Sequence, residues 1–220
     1  MNITRPYSLV LATTLALLLA TLPGCGMVGV MAENYKRTST HSVDAEYTGL
    51  AGHSFAVVVQ VGQSIEGQYP GLRDVLLGKI TEQLAANAGA SGVVPATRVA
   101  KYLYNHPGWS ARPMTDLAKD LGGVDRIVWV EIYEFRLNDI GNQYEWDGLA
   151  GGTFAVLEMD SVLPEARAFE RRVQVKFPDK KGFGPNDYSA SIVQTALLKR
   201  FVDRATWLCY KHDEPYYPDY

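Results

Sequence analysis

Cysteine is nearly absent. Cys25 and Cys209 are the only two in 220 residues, which excludes the multi-bridge framework of small secreted scaffolds. Histidine is scarce too: His41, His53, His106 and His212 make four. No two of them share the i, i+3 or i, i+4 spacing that puts metal ligands on one helix face. All four fall in segments read as loops or chain ends, where a solvated side chain is expected. No G-x-S-x-G nucleophile turn is present. Gly182-Phe183-Gly184 beside Lys180-Lys181 lacks the G-K-[ST] ending of a phosphate loop, so a plain turn is expected there. An excess of positive charge is missing as well. With 21 Lys and Arg against 24 Asp and Glu the net charge is −3. That argues against a nucleic-acid binder, whose affinity comes largely from cations neutralising phosphates. Long apolar runs are also lacking. The apolar run Ser8 to Thr21, which carries no charge, falls short of the roughly 20 apolar residues that span a bilayer comfortably.

That stretch is informative in its own right. It follows Met1 to Tyr7, which carry one cation, Arg5. A weakly basic start and a short apolar run form the layout of a secretory signal. It ends on Leu22-Pro23-Gly24-Cys25. Leu22, small Gly24 and Cys25 resemble the lipobox of bacterial lipoproteins, with Pro23 where a small residue is usual. The resemblance implies cleavage between Gly24 and Cys25 and attachment of palmitate-type acyl chains to the Cys25 sulfur. Stable anchoring takes two or more such chains. Gly26 stands where, in the sorting rule of double-membrane bacteria, Asp would retain a lipoprotein on the inner membrane. The resemblance thus implies the outer membrane, facing the periplasm. The bland alternatives are an uncleaved N-terminal anchor, or a signal cut elsewhere with Cys25 incidental. If Cys25 is acylated, Cys209 has no partner within the chain. It sits in a helical pattern with Trp207, Leu208 and Tyr210, and burial as a small apolar residue is expected.

Residues 25–52 lack sustained periodicity and read as a tether. The domain reads as 53–211. Phe55 to Val61 is a short β-branched run, a buried strand. Gly62 to Gly71 reads as a loop. Leu72, Val75, Leu76, Ile80 and Leu84 recur at helical spacing, and Gly89 supplies a stop. Val93-Val94 and Val99 to Tyr104 suggest a second extended segment, closed by the Asn105-His106-Pro107-Gly108 turn. Thr115 to Leu121, backed by Gly122-Gly123, is a short capped helix. Ile127 to Leu137 is the strongest strand. Thr153 to Ser161 and Ala168 to Phe177 form an expected antiparallel pair. In the second, Phe169, Val173, Val175 and Phe177 face one side, and Glu170, Arg172, Gln174 and Lys176 the other. Tyr188 to Lys211 reads as a long amphipathic helix, and 212–220 as a flexible tail. The order β-α-β-α-β-β-β-α predicts a single α/β (α+β) domain with helices packed on a mixed sheet.

Val57 to Val61, the Leu72 to Leu84 helix, Leu117 to Gly122 leading into Asp125 to Val130, and Gly151-Gly152 before Thr153 to Asp160 resemble two envelope domains. One is the N-terminal domain of the Tol-system periplasmic propeller protein. The other is the periplasmic domain of the curli-secretion channel lipoprotein. The resemblance is one of hydrophobic pattern. It implies a fold and a compartment, and it assigns no residue a role.

Candidate chemistry is thin. Glu131 and Glu134 fall on opposite faces of their strand and make no local carboxylate pair. Glu158 and Asp160 share a face, where solvation at a strand edge is the ordinary explanation. Aromatic residues are more suggestive. Tyr102, Tyr104, Trp109, Tyr144 and Trp146, with Tyr133 and Phe135, cluster in three stretches beside polar groups, a composition enriched at interfaces. Core or sheet-edge packing is the alternative. The sequence therefore points to a membrane-anchored envelope lipoprotein that is not an enzyme, has no cofactor and binds another envelope protein. Two other readings stay open. An oligomeric pore subunit needs lipid-facing strands of about 9–11 residues, and Ala168 to Phe177 alone has that length and alternation. An enzyme would need long-range contacts to assemble an unrecognised site, for instance around His106.

Overall fold

The computed structural model describes residues 39–215. The signal segment, Cys25 and the first part of the expected tether lie outside them, as do residues 216–220. The described chain divides into two units. In the smaller, strand β1 (Thr40–Val43) pairs with strand β7 (His212–Pro215) as a two-stranded sheet. These strands occupy stretches expected as tether and tail.

The larger unit, residues 44–212, carries the expected mixed α/β architecture. Its sheet has five strands: β2 (Ser54–Val61), β3 (Gly92–Val93), β4 (Arg126–Arg136), β5 (Gly148–Glu158) and β6 (Arg167–Phe177). Their order is β3-β2-β4-β5-β6. The first three run parallel, and β5 and β6 are antiparallel to their neighbours. Five helices complete it: α1 (Gln63–Gln68), α2 (Leu72–Asn87), α3 (Ala96–Asn105), α4 (Met114–Asp120) and α5 (Ala190–Trp207). Helix α2 packs on β2, α5 packs on β5 and β6, and the two helices touch.

The register shows why the apolar strand patterns converge. Val57 pairs with Val128, Val128 with Val156, and Val156 with Phe169. Side chains in one such row share a face. Val58, Ile80, Val128 and Leu197 are fully buried and belong to one core cluster.

Four local differences from the sequence reading have physical causes. Residues 99–104 are helical, in α3. Pro95 precedes the first turn, and Val99 and Leu103, four apart, form its buried stripe; the apolar spacing was too brief to show a period of 3.6 against interleaved tyrosines. The loop at 62–71 contains α1, whose Glu66 accepts the backbone N–H groups of Gly71 (3.0 Å) and Arg73 (3.3 Å). That carboxylate serves the start of α2, where Gly71 has φ +82° and, being glycine, offers no side-chain cap. Strand β5 begins at Gly148 rather than Thr153. A Cβ at Gly152 would lie 2.5 Å from the Glu131 carbonyl oxygen and 2.8 Å from Phe201. Glycine here permits a close approach of α5 rather than breaking the strand. Finally, residues 44–52 belong to the larger unit, and Leu50 is fully buried in its core.

Candidate functional site

The chain leaves β2 toward α1 and later returns on both sides of it, to β3 and to β4. A parallel sheet that reverses direction in this way opens a crevice beyond the carboxyl ends of its strands, where ligands of open α/β sheets usually sit. A cleft of about 460 Å³ lies at that place. Val59, Val61, Leu103 and Trp109 supply apolar wall, and Gln60, Gln63, Tyr104 and Ser110 supply neutral polar groups. Tyr104 is 80% exposed at its rim. Two charged residues also line it. Glu66 is committed to the start of α2 as described, and the Arg73 guanidinium pairs with Asp74 at 3.2 Å. The cleft can stack against an aromatic ring and exchange neutral hydrogen bonds.

The five aromatic residues picked from sequence are distributed over this end of the domain. Tyr104 and Trp109 share the cleft, with Trp109 buried and tilted against Trp129 at 5.3 Å between centroids. Tyr102 is half-buried. Its hydroxyl donates to Asp120 (2.7 Å) and accepts from Arg112 (2.6 Å), while its ring stacks on His106 at 4.2 Å. Burial and the Asp120 hydrogen bond raise the Tyr102 pKa; the same bond, helped by Arg112, holds the Asp120 carboxyl below its ordinary value. Tyr144 stands 89% exposed in the β4–β5 loop. Trp146 is buried and donates its indole N–H to the Tyr188 carbonyl at 2.8 Å.

The histidines do not converge. His53 reaches Asp160 at 3.9 Å, His106 caps its stack on Tyr102, and His212 lies flat against Trp207 at 4.5 Å. Cys209 and His212 are three residues apart, but α5 ends at Trp207, so the spacing does not place them on one helix face. Cys209 is buried, which pushes its thiol pKa up to about 12. Among the described residues no group of three His, Cys, Asp or Glu side chains is placed to hold a metal ion. The expected lipidation and cleavage residues, Cys25 and Gly24, lie outside the described residues.

The cluster that sequence reasoning missed lies at the opposite end of the sheet. Arg126 opens β4 and is only 4% exposed. Its guanidinium donates to the carbonyl oxygens of Gly49 (3.1 Å) and Asp125 (2.9 Å) and to Asp160 (2.6 Å). Glu158 lies 3.8 Å away and accepts the Tyr47 hydroxyl at 2.8 Å. Burial alone would weaken the Arg126 charge, but hydrogen bonding to Asp160 and the nearby anions outweigh it and raise its pKa. Beside it, the Ser54 backbone N–H and hydroxyl both donate to Asp125, which lowers that carboxyl's pKa. Glu158 and Asp160 are therefore counter-charges for a buried arginine that fastens residues 46–50 to the sheet. The one sequence signal was a cation directly before an apolar strand.

No family model matches the chain, and no curated protein matches it. Among solved structures it is similar to the PelC dodecamer subunit of Paraburkholderia phytofirmans, at 13% identity and a TM-score of 0.46 over 78% of this chain and 98% of that one. It is similar to lipoprotein GNA1162 of Neisseria meningitidis, at 13% identity and 0.46, over 69% and 96%. A DUF330 protein of Xanthomonas campestris matches at 10% identity and 0.47, over 76% and 85%.

Proposed function

We propose that the chain is a bacterial envelope lipoprotein whose α/β domain is a non-enzymatic binding module for another envelope protein. One observation carries this reading: an uncharged run after a single cation, ending on Leu22-Pro23-Gly24-Cys25. Residues 1–24 are the signal, Cys25 bears the lipid, and Gly26 favours the outer membrane with the domain facing the periplasm. The pattern resemblance to the Tol and curli envelope domains supports the same compartment. Among the described residues no helix is long and apolar enough to cross a membrane.

The chemistry of the domain supports binding rather than turnover. Glu66, Asp125, Glu158, Asp160 and Glu165 each accept hydrogen bonds that hold elements together. A carboxylate tied to backbone N–H groups or a buried guanidinium is poorly placed to move protons for a substrate. Tyr104 at the cleft rim and the neutral amides behind it suit a partner loop that lays an apolar or aromatic side chain against Trp109. The test is photo-crosslinking from position 104 of the chain in its native membrane. A discrete adduct with one envelope protein, lost in a Gln60→Ala/Gln63→Ala variant, is the expected result. Crosslinks spread over many proteins and unchanged in that variant refute the cleft as the binding face.

A further inference from the structure

The β5–β6 loop presents an unusual surface. Val162 is 98% exposed and Leu163, next to it, 69%. Single exposed aliphatic residues are ordinary, but here two neighbours are held outward by a fixed loop. Glu165 accepts the backbone N–H groups of Met114 (2.8 Å) and Thr115 (3.0 Å) and the Thr115 hydroxyl (2.8 Å). At the other end of the loop, Asp160 is bound by Arg126. The loop is pinned at both ends, and Val162 and Leu163 project from it.

The charged groups beside it are tied into the fold. Glu158 and Asp160 face Arg126, and Glu165 is committed to the first turn of α4. Arg167 pairs with Glu170 at 2.6 Å, and Arg171 with Glu46 at 2.6 Å.

The position in the fold identifies the occupant. The larger unit begins at Asp44, and its first residues lie beside this loop. Arg171 binds Glu46, Tyr47 binds Glu158, and Arg126 binds the Gly49 carbonyl. The larger unit therefore begins at the end of the sheet that carries Val162 and Leu163. The opposite end, with Ile140 and Tyr144, lies a full strand length away. We infer that Val162 and Leu163 insert into the headgroup boundary of the membrane that anchors Cys25 and hold the domain against that bilayer by its entry end. The inference rests on the lipoprotein reading for the anchor. Apolar side chains at a bilayer boundary are favoured by the same transfer of surface out of water that stabilises a core.

The experiment uses the full chain reconstituted in vesicles of phosphatidylethanolamine and phosphatidylglycerol, with a nitroxide on Val162→Cys or, as control, on Ile140→Cys. Buried Cys209 does not compete for the label, and acylation of Cys25 is read on the same preparation by mass. The expected result is a severalfold loss of collision with a water-soluble relaxant, and a gain with oxygen, at position 162 and not at 140. Leu163→Asp should abolish that difference, with thermal unfolding unchanged because the side chain is exposed. Equal accessibility at 162 and 140 in an acylated chain overturns the inference while leaving the anchor intact. Protection at 162 that appears only when a second envelope protein is added overturns it too, in favour of a protein partner. Protection at 162 in a chain that proves unacylated upholds the insertion and removes the anchor reading instead.

Discussion

Arg126 Nη1 donates to Asp160 Oδ1 at 2.6 Å, and that contact joins the buried start of β4 to the exposed turn after β5. The arginine is the inner partner and the aspartate the outer one. Removing the arginine therefore leaves the Gly49 carbonyl and Asp160 without their donor and Glu158 without its counter-charge, while removing the aspartate leaves a guanidinium that keeps two carbonyl partners.

Arg126→Ala should destabilise the domain by about 2–3 kcal/mol. That is below the 3–5 typical of a fully buried pair, because the carboxylates it abandons are partly solvated. Asp160→Asn should cost clearly less than Arg126→Ala. Urea unfolding of the two variants checks the order, and a reversed order would remove Arg126 from its place as the central group.

Stability should fall on acidification. Asp125 and Asp160 have folded pKa values lowered from an ordinary 3.8, Asp125 by the Ser54 donors and Asp160 by Arg126. A depressed carboxyl pKa contributes stability above its unfolded value and loses it as pH drops through the folded value. The decline should thus begin near pH 4 and continue below it, and Asp125→Asn should flatten it. Thermal unfolding followed from pH 7 to pH 2.5 is the measurement. An Asp125→Asn profile parallel to that of the wild type would contradict the assignment.

Two glycine substitutions should act in opposite directions. Gly78 lies inside α2, and a Cβ there meets nothing within 4 Å. Gly78→Ala should stabilise by about 0.5–1 kcal/mol, the usual helix-interior difference. Gly152→Ala places a Cβ against the Glu131 carbonyl and Phe201, and should destabilise by about 1–3 kcal/mol through overpacking. Matching effects of the two in thermal unfolding would show that α5 is not seated on β5 as described.

Much of the core was legible from sequence. Strands β2, β4 and β6 announced themselves through β-branched runs and clean alternation, and α2 and α5 through helical spacing. What escaped depends on contacts between distant residues. Gly148, Gly151 and Gly152 look like a loop until α5 and Tyr133 are seen pressed against them. Leu50 looks like part of a tether until Arg126 is seen binding the carbonyl beside it. Trp109 and Trp146 look like interface aromatics, and it takes the fold to show that each ring is inside. Tyr104 and Tyr144, from the same stretches, are outside. Local pattern cannot separate the two outcomes, because both residue types combine a large apolar body with a polar tip.

Cys209 should be inert in the folded protein. Its thiol is buried and its pKa pushed up to about 12 by that burial, so almost no thiolate exists at neutral pH. A thiol reagent should modify it only after unfolding, at the rate of global opening. Rapid modification of the native chain at pH 7.5 would contradict its placement behind α5.

Lipid on Cys25 is what we propose anchors the chain, and metabolic labelling with a fatty-acid probe reads it. The wild-type chain should incorporate the probe and fractionate with membranes. Cys25→Ser should incorporate none and remain unprocessed or be released. A wild-type chain without label, or equal labelling of the two, would show that Cys25 carries no lipid.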